Sequence, residues 1–124
     1  MIVADTDVLI DFLAGREPSA GAVGRALQRQ ELATTAISRY ELMSGARNPE
    51  EGELVSGFLK NLRVYPLDTA SADRAAEVFR SLEEAGQRID TGDCLIAGIV
   101  LHQHGVLLTR NKKHFERVRG LRLA

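Results

Sequence analysis

Four segments of the sequence carry acidic or amide side chains, whose oxygens are the ligands that hard divalent cations prefer. They contain Asp5 in I-V-A-D-T-D, Glu41 in I-S-R-Y-E-L, Asp93 in D-T-G-D-C-L-I-A-G and Asn111 in L-L-T-R-N-K-K-H-F. Each of these residues follows or lies close to an apolar run. Carboxylates that are gathered in one cleft repel each other unless a divalent cation neutralises them. The pattern therefore predicts a metal-dependent active site.

The segments between these residues alternate between short apolar runs and helical patterns, which predicts a parallel sheet with helices on both faces. Strands are predicted at 2–4, 32–35, 64–67, 106–109 and 121–123. Helices are predicted at 6–13 with Thr6 as the cap, and at 20–30, 38–46, 49–62, 71–85, 92–104 and 113–115. The inner face of the helix at 71–85 is predicted to hold Ala72, Ala75, Ala76, Val78, Phe79 and Leu82.

Ligands bind such sheets beyond the carboxyl ends of the strands, at the point where the strand order reverses. Asp5 closes the first predicted strand, and Thr109 closes the fourth. Glu41 and Asp93 lie in the first turns of the helices that come after strand two and before strand four. If strands one and four are neighbours, all of these groups meet at one edge of the sheet.

The net charge of -1 is unevenly divided along the chain. Residues 110 to 124 hold six Lys or Arg and only one acid, Glu116, whereas the rest of the chain is acidic. A basic segment beside an acidic cluster suits a phosphodiester substrate, because the cations hold the backbone while metal ions act on the scissile phosphate. The alternative is a solvated basic tail.

With 124 residues and 44% hydrophobic residues, the chain is expected to form one compact domain over residues 1–124. The single Cys94 excludes an internal disulfide, and the start M-I-V-A-D lacks the features of a signal peptide. Charged residues interrupt every apolar run before it reaches the length of a membrane span. We therefore expect a soluble, cytoplasmic protein that does not bind membranes.

The four segments quoted above, in this order and at this spacing, resemble the PIN-domain ribonucleases and in particular the VapC-type toxins of type II toxin–antitoxin systems. The resemblance extends over nearly the whole chain. It implies a three-layer α/β/α sandwich with a central parallel sheet of about five strands. It also implies Mg²⁺- or Mn²⁺-dependent hydrolysis of RNA by metal-activated water, a homodimer, and inhibition by a VapB-like antitoxin.

The resemblance assigns roles to particular residues. Asp5, Glu41 and Asp93 are implied as catalytic metal ligands, with Asp90 as a further candidate ligand, and Asn111 as a catalytic residue. Asn111 stands where many relatives have Asp, so a second ion would be bound more weakly here. Smaller roles fall to groups that orient carboxylates or water, and to cations that hold the RNA backbone. The first are Thr6, Asp7 and Thr109, and the second are Arg110, Lys112 and Lys113.

Simpler structural roles compete with these assignments. Asp5, Asp90 and Asp93 could be helix caps, and Ser38-x-x-Glu41 has the pattern of a capping box. Asp11 is expected to be solvated. The dimer surface is expected on the helix at 49–62 and its neighbours, with Leu54, Val55, Phe58 and Leu59 as contacts.

Two other functions are compatible with the fold class. A PIN-fold binding module would keep the architecture without catalysis. A phosphoacceptor signalling domain would need an Asp at the end of its central strand and a Lys near its last strand. The third predicted strand does end in V-Y-P-L-D, but no Lys follows the fifth.

Overall fold

The computed structural model describes all 124 residues and is built on a sheet of five parallel strands. The strands are β1 (Ile2–Ala4), β2 (Leu32–Thr35), β3 (Arg63–Tyr65), β4 (Val106–Leu108) and β5 (Arg122–Leu123). Their order in the sheet is β3-β2-β1-β4-β5. Strands β1 and β4 are neighbours, which is the condition for the acidic groups to lie at one edge of the sheet, and the strand order reverses between them.

Seven helices cover the two faces of the sheet. They are α1 (Thr6–Ala14), α2 (Ser19–Gln28), α3 (Ala36–Ser44), α4 (Pro49–Leu59), α5 (Thr69–Glu84), α6 (Thr91–His102) and α7 (Lys112–Phe115). One hydrophobic core joins the sheet to α5, α6 and α7, and a second core joins it to α1, α2, α3 and α4. The predicted three-layer α/β/α architecture is therefore confirmed.

Alternation along β1 explains why there are two cores. Val3 and Ala4 are both fully buried, but Val3 belongs to the core under α5 and α6, whereas Ala4 belongs to the core under α1 and α2. Successive side chains of a strand point to opposite faces, so an uninterrupted apolar run is what a strand with helices on both faces requires.

Helix α6 packs against α5 at very short range. A Cβ atom on Gly98 would lie 2.6 Å from the backbone nitrogen of Ala75, so only glycine fits at this crossing. Ala97, Ile99 and Val100 beside it are fully buried. Although α6 is strongly apolar, no helix of the structure is both long enough and apolar enough to cross a membrane.

Three predicted boundaries were wrong because the helix cap lies earlier in the sequence than expected. Asp5, Thr35 and Asp68 are the N-caps of α1, α3 and α5, and their side chains accept hydrogen bonds from Val8, Ser38 and Ser71. Each is an Asp or Thr in extended backbone conformation, which suits a cap. The third strand is correspondingly shifted to Arg63–Tyr65.

Two predicted apolar surfaces also differ from the structure. Ala72 and Ala76 of α5 are exposed rather than part of its inner face. On α4, Val55 and Leu59 belong to the core and are not available for a dimer, whereas Leu54 is 65% exposed. Helical periodicity alone does not show where one apolar face ends and a second begins.

Candidate active site

Asp5 lies where β1 ends and α1 begins, next to β4. Its backbone N–H donates to the carbonyl oxygen of Leu108 at 3.1 Å, which ties the residue to the end of β4. Its side chain accepts a hydrogen bond from the Val8 N–H at 3.2 Å and is 8% exposed. Asp5 is therefore a helix cap, and it also holds a buried carboxylate at the point where the strand order reverses.

Burial raises the pKa of Asp5 from 3.8 to about 6. Hydrogen bonds from the Thr109 hydroxyl and the Val8 N–H oppose this shift, while the charges of Asp7 and Asp93 add to it. An ionised carboxylate in this position is thus destabilised by its surroundings. A bound cation would offset this destabilisation of the Asp5 carboxylate.

Glu41 of α3 is connected to the same cleft through Thr6. The Thr6 hydroxyl donates a hydrogen bond to Glu41 Oε1 and lies 3.0 Å from the hydroxyl oxygen of the fully buried Ser38. Because Thr35 caps α3, the capping-box role considered for Ser38 and Glu41 is wrong. The Glu41 carboxylate is instead held across the gap between α1 and α3.

The other side of the cleft is the start of α6. A Cβ atom on Gly92 would lie 3.9 Å from Glu41 Oε2, so Glu41 points at the first turn of α6. Asp93 in that turn is half-buried, and burial raises its pKa. The charges of Asp90, Glu41 and Asp7 raise this pKa further, whereas His114 lowers it.

Asp90 holds the N-cap position of α6 but makes no capping hydrogen bond with its side chain. Capping of α6, which was the alternative to metal binding for Asp90, therefore does not engage its exposed carboxylate. No three His, Cys, Asp or Glu side chains are close enough to form a ready-made ion cage. Asp5, Glu41, Asp90 and Asp93 face one cleft as separate, mutually repelling groups.

Asn111 approaches the cleft from the loop after β4. Its backbone N–H donates to the Thr109 hydroxyl oxygen at 2.9 Å, and its side-chain nitrogen lies 2.7 Å from His114 Nδ1. If that amide nitrogen donates, Nδ1 is the acceptor and the imidazole proton is on Nε2. The amide oxygen of Asn111 then remains free to accept or ligate. The contact between His114 and Asn111 was not predicted, although their i, i+3 spacing was visible in the sequence.

Arg110 is paired within the protein. Its Nε lies 3.2 Å from Asp11 Oδ2, and its Nη2 lies 3.7 Å from Asp7 Oδ2. Asp11 is 4% exposed, so the expectation that it is solvated was wrong. Its other oxygen, Oδ1, has no hydrogen bond and lies 3.5 Å from Arg16 Nη1. The sequence did contain a signal: Asp11 is the single acid within the apolar run V-L-I-D-F-L. An acid in such a run tends to be buried, and a buried charge needs a partner.

The family model for the PIN domain matches residues 2–121 of the sequence. This chain is a PIN-domain protein. Among its relatives is the tRNA(fMet)-specific endonuclease VapC of Shigella flexneri, which is 26% identical over 95% of this chain and 92% of its own length. Ribonuclease VapC1 of Methanocaldococcus jannaschii is 28% identical over 98% of this chain and 85% of its own length. The predicted resemblance to VapC proteins is confirmed.

Solved structures share the fold of this PIN domain. DNA-bound VapBC from Salmonella typhimurium aligns with a TM-score of 0.84 at 24% identity, covering 99% of this chain and 96% of the other. VapBC2 from Rickettsia felis, bound to a DNA fragment from its promoter, aligns with a TM-score of 0.83 at 22% identity and covers 100% and 98% of the two chains. At these identities the likeness concerns the architecture.

The pKa of Asp5 predicts how the stability of the metal-free PIN domain depends on pH. The folded state binds a proton between pH 6 and about 4 that the unfolded state has released, so stability falls as pH rises through this window. Asp5→Asn removes the penalty and keeps an acceptor for Val8. With EDTA present, the variant should be roughly 2 to 3 kcal/mol more stable than the wild type at pH 7.5, and about equally stable near pH 4. Urea unfolding at both pH values checks this, and a wild-type advantage at pH 7.5 would contradict it.

Proposed function

We propose that this PIN domain is a metal-dependent endoribonuclease and the toxin of a VapBC-type pair. The observation that carries the proposal is that Asp5, Glu41 and Asp93 surround one cleft at the carboxyl edge of β1 and β4. This edge is where ligands of open α/β sheets bind. Relatives named as VapC ribonucleases, over nearly the full chain length, support the same activity.

The side chains of the cleft fit Mg²⁺ or Mn²⁺. Asp5, Glu41, Asp93 and Asp90 would hold the ion, because all four are carboxylates and hard cations prefer oxygen ligands. Burial raises the pKa values of Asp5 and Asp93, and the charges of neighbouring acids raise them further; a bound cation would favour the ionised form of both carboxyls. When bound, the ion supplies Lewis-acid chemistry and lowers the pKa of water for attack on phosphorus.

Hydroxyl groups of the chain hold these carboxylates in position. Thr6 donates to Glu41 Oε1, so Oε2 is left facing α6. The Thr109 hydroxyl accepts from the Asn111 N–H and lowers the pKa of the Asp5 carboxyl, so it links the ends of β1 and β4 to the loop after β4. We propose that Thr6 and Thr109 orient the ligands, and that the Asn111 amide oxygen binds near the leaving group. Asp7 acts on the cleft through its charge and its pairing with Arg110.

The direct test is cleavage of structured RNA by the purified protein. Transfer RNA incubated with Mg²⁺ should be cut at few positions, and sequencing of the new ends identifies them. The same incubation with EDTA should leave the RNA intact. Intact RNA with both Mg²⁺ and Mn²⁺ present would favour the alternative of a non-catalytic binding module, and cleavage in EDTA would contradict the metal-dependent mechanism.

The RNA backbone beside the cleft is proposed to be held by Lys112 and Lys113 at the start of α7. Both side chains are exposed, and neither forms an ion pair within the chain. Arg110 differs because Asp11 and Asp7 share its guanidinium. We therefore assign Arg110 a smaller share of phosphate binding than the two lysines.

Replacing Lys112 and Lys113 together by Gln should weaken RNA binding and flatten its salt dependence. Each lost phosphate contact removes about 0.7 from the log–log salt slope for single-stranded RNA, so the slope should fall by about 1.4. Fluorescence anisotropy at several salt concentrations measures it. Lys60→Gln, an exposed lysine at the end of α4, is the matched control and should leave the slope unchanged. An unchanged slope in the double variant would show that Lys112 and Lys113 are solvated and do not contact the RNA.

An antitoxin partner is proposed from the solved relatives, which include VapBC complexes. Large apolar side chains are exposed on three helices of one layer: Ile10 on α1, Tyr40 on α3 and Leu54 on α4. Helix α3 packs against both α1 and α4. This layer therefore offers apolar surface for a partner close to the carboxylate cleft.

A homodimer is also proposed, with α5 as its surface in place of the core residues of α4. The exposed Ala72 and Ala76 line a cavity of about 280 Å³ between α5 and α6, together with Leu95 and Phe79. Light scattering at micromolar concentration should give the mass of two chains. Ala76→Glu should shift the mass toward 13.6 kDa, the mass of one chain, because burying an unpaired charge disfavours association. A single-chain mass for the wild type would contradict the dimer.

A further inference from the structure

Two adjoining cavities lie away from the carboxylate cleft, between α5, the end of α6 and the segment that leads into β5. Their volumes are about 260 and 370 Å³, and Arg74 and Leu101 line both. Neither cavity contains a residue of the cleft. Arg117 and Arg119 line the first cavity, and Arg122 lines the second. We call this surface the arginine groove.

The charge of the groove opposes that of the protein as a whole. Its four arginines face a single acid, Glu77, among the lining residues, whereas the whole chain has a net charge of -1. Arg74 and Glu77 are 3.9 Å apart and both largely exposed, so their pairing is weak. Positive charge that is concentrated in a concave surface attracts anions more strongly than scattered charge does.

Backbone carbonyl oxygens hold the guanidinium group of Arg122 and lie near that of Arg117. Arg122 Nη2 donates to the carbonyl oxygen of His104 at 2.7 Å, and Arg117 Nη1 lies 3.4 Å from the carbonyl oxygen of Arg88. An arginine has five N–H donors, so each of these groups retains donors for a ligand. Guanidinium groups bind phosphates through paired N–H donors, and a group already held in place loses less entropy on binding.

We propose that the arginine groove is a second binding site for the phosphate backbone of the RNA substrate, remote from the cleft. The proposal rests on the proposed function, because a ribonuclease substrate is a polyanion that extends beyond the scissile bond. Helix α6 connects the two sites: Asp93 is in its first turn, and His102 at its far end lines the groove. The nine helical steps from Asp93 to His102 span about 14 Å, a distance that a structured RNA bridges within a few nucleotides.

The test compares a long and a short RNA on the full chain. Arg74→Gln/Arg119→Gln removes two charges and spares Arg117 and Arg122, whose guanidiniums contact the backbone. For transfer RNA, affinity at physiological salt should fall roughly tenfold, and the log–log salt slope should fall by about 1.4 to 1.8. A dinucleotide occupying the cleft has a single internucleotide step and is too short to reach the groove, so its affinity should not change. Arg25→Gln/Arg29→Gln on and beside α2, both exposed, is the charge-matched control.

The outcomes separate this proposal from the proposed function. Unchanged affinity and salt slope for transfer RNA in the Arg74/Arg119 variant would show that the arginine groove does not bind RNA, even if the wild type cleaves RNA. An equal loss in the Arg25/Arg29 control would overturn it too, because general electrostatics would then explain the effect. Wild-type protein that binds transfer RNA through the groove but does not cleave it would instead contradict the proposed nuclease activity.

Discussion

Replacing Asp5 by Asn should reduce RNA cleavage by roughly a hundredfold or more while the protein stays folded. Metal assistance contributes several kcal/mol of transition-state stabilisation, and each 1.36 kcal/mol corresponds to tenfold in rate. Asn keeps an oxygen that can accept from Val8 and Thr109 but lacks the charge that an ion requires. The cap of α1 is thus preserved while the ligand is weakened. Initial rates on transfer RNA under single-turnover conditions measure the loss.

The matched control for Asp5→Asn is Asp73→Asn, which removes one negative charge from the exposed face of α5. It should cleave RNA at the wild-type rate. Circular dichroism and urea unfolding establish that both variants are folded. A folded Asp5→Asn protein with wild-type activity would show that Asp5 is not catalytic and serves only as the N-cap of α1.

The arrangement of the sheet was predictable because it depends on long-range rules that leave clear traces in sequence. Uninterrupted apolar runs separated by helical patterns require a parallel sheet with helices on both faces. Asp5 and Thr109 end two of these runs, and the structure brings the ends of β1 and β4 together. The location of the cleft therefore followed from the sequence once the two strands were taken as neighbours.

The hydrogen-bond partners of the cleft were not predictable, because they depend on which of several polar residues caps each helix. Thr35 and Ser38 are both good caps, and sequence preference does not choose between them. The choice of Thr35 releases Ser38 and Glu41 to contact Thr6 on another helix. The ion pairs of Asp11 likewise join segments that are distant in sequence, so no local pattern identifies its partner.

The structure also tests the alternative function of a phosphoacceptor signalling domain. In that alternative, Asp68 in V-Y-P-L-D would be the residue that accepts the phosphoryl group. Strand β3 is at the edge of the sheet, not at its centre. Asp68 forms a capping box with Ser71 at the start of α5, and these hydrogen bonds lower the pKa of its carboxyl. An exposed cap at an edge strand is not placed to accept a phosphoryl group beside the acidic cleft, so this alternative loses its main residue.

Glu41→Gln should separate catalysis from RNA binding. The amide retains an acceptor for the Thr6 hydroxyl, so the side chain should keep its position between α1 and α3, but the ion loses one charged ligand. Cleavage should fall by roughly a hundredfold or more, while RNA affinity stays equal or increases because less negative charge faces the phosphates. Single-turnover cleavage and fluorescence anisotropy on the same RNA measure the two quantities. Glu53→Gln, an exposed acid of α4, is the control for the loss of one charge.

A second measurement on Glu41→Gln distinguishes a direct electrostatic role from a change in fold. The charge of Glu41 raises the pKa of Asp93, so its removal should lower that pKa in the metal-free protein, as followed by carboxyl NMR titration. A variant that lost activity with the pKa of Asp93 unchanged would show that Glu41 does not share the cleft in solution. One that lost RNA affinity together with cleavage would show that Glu41 holds the substrate. The expected combination, lost cleavage with intact binding and a lowered Asp93 pKa, follows only if Glu41 and Asp93 face the same ion site across the start of α6.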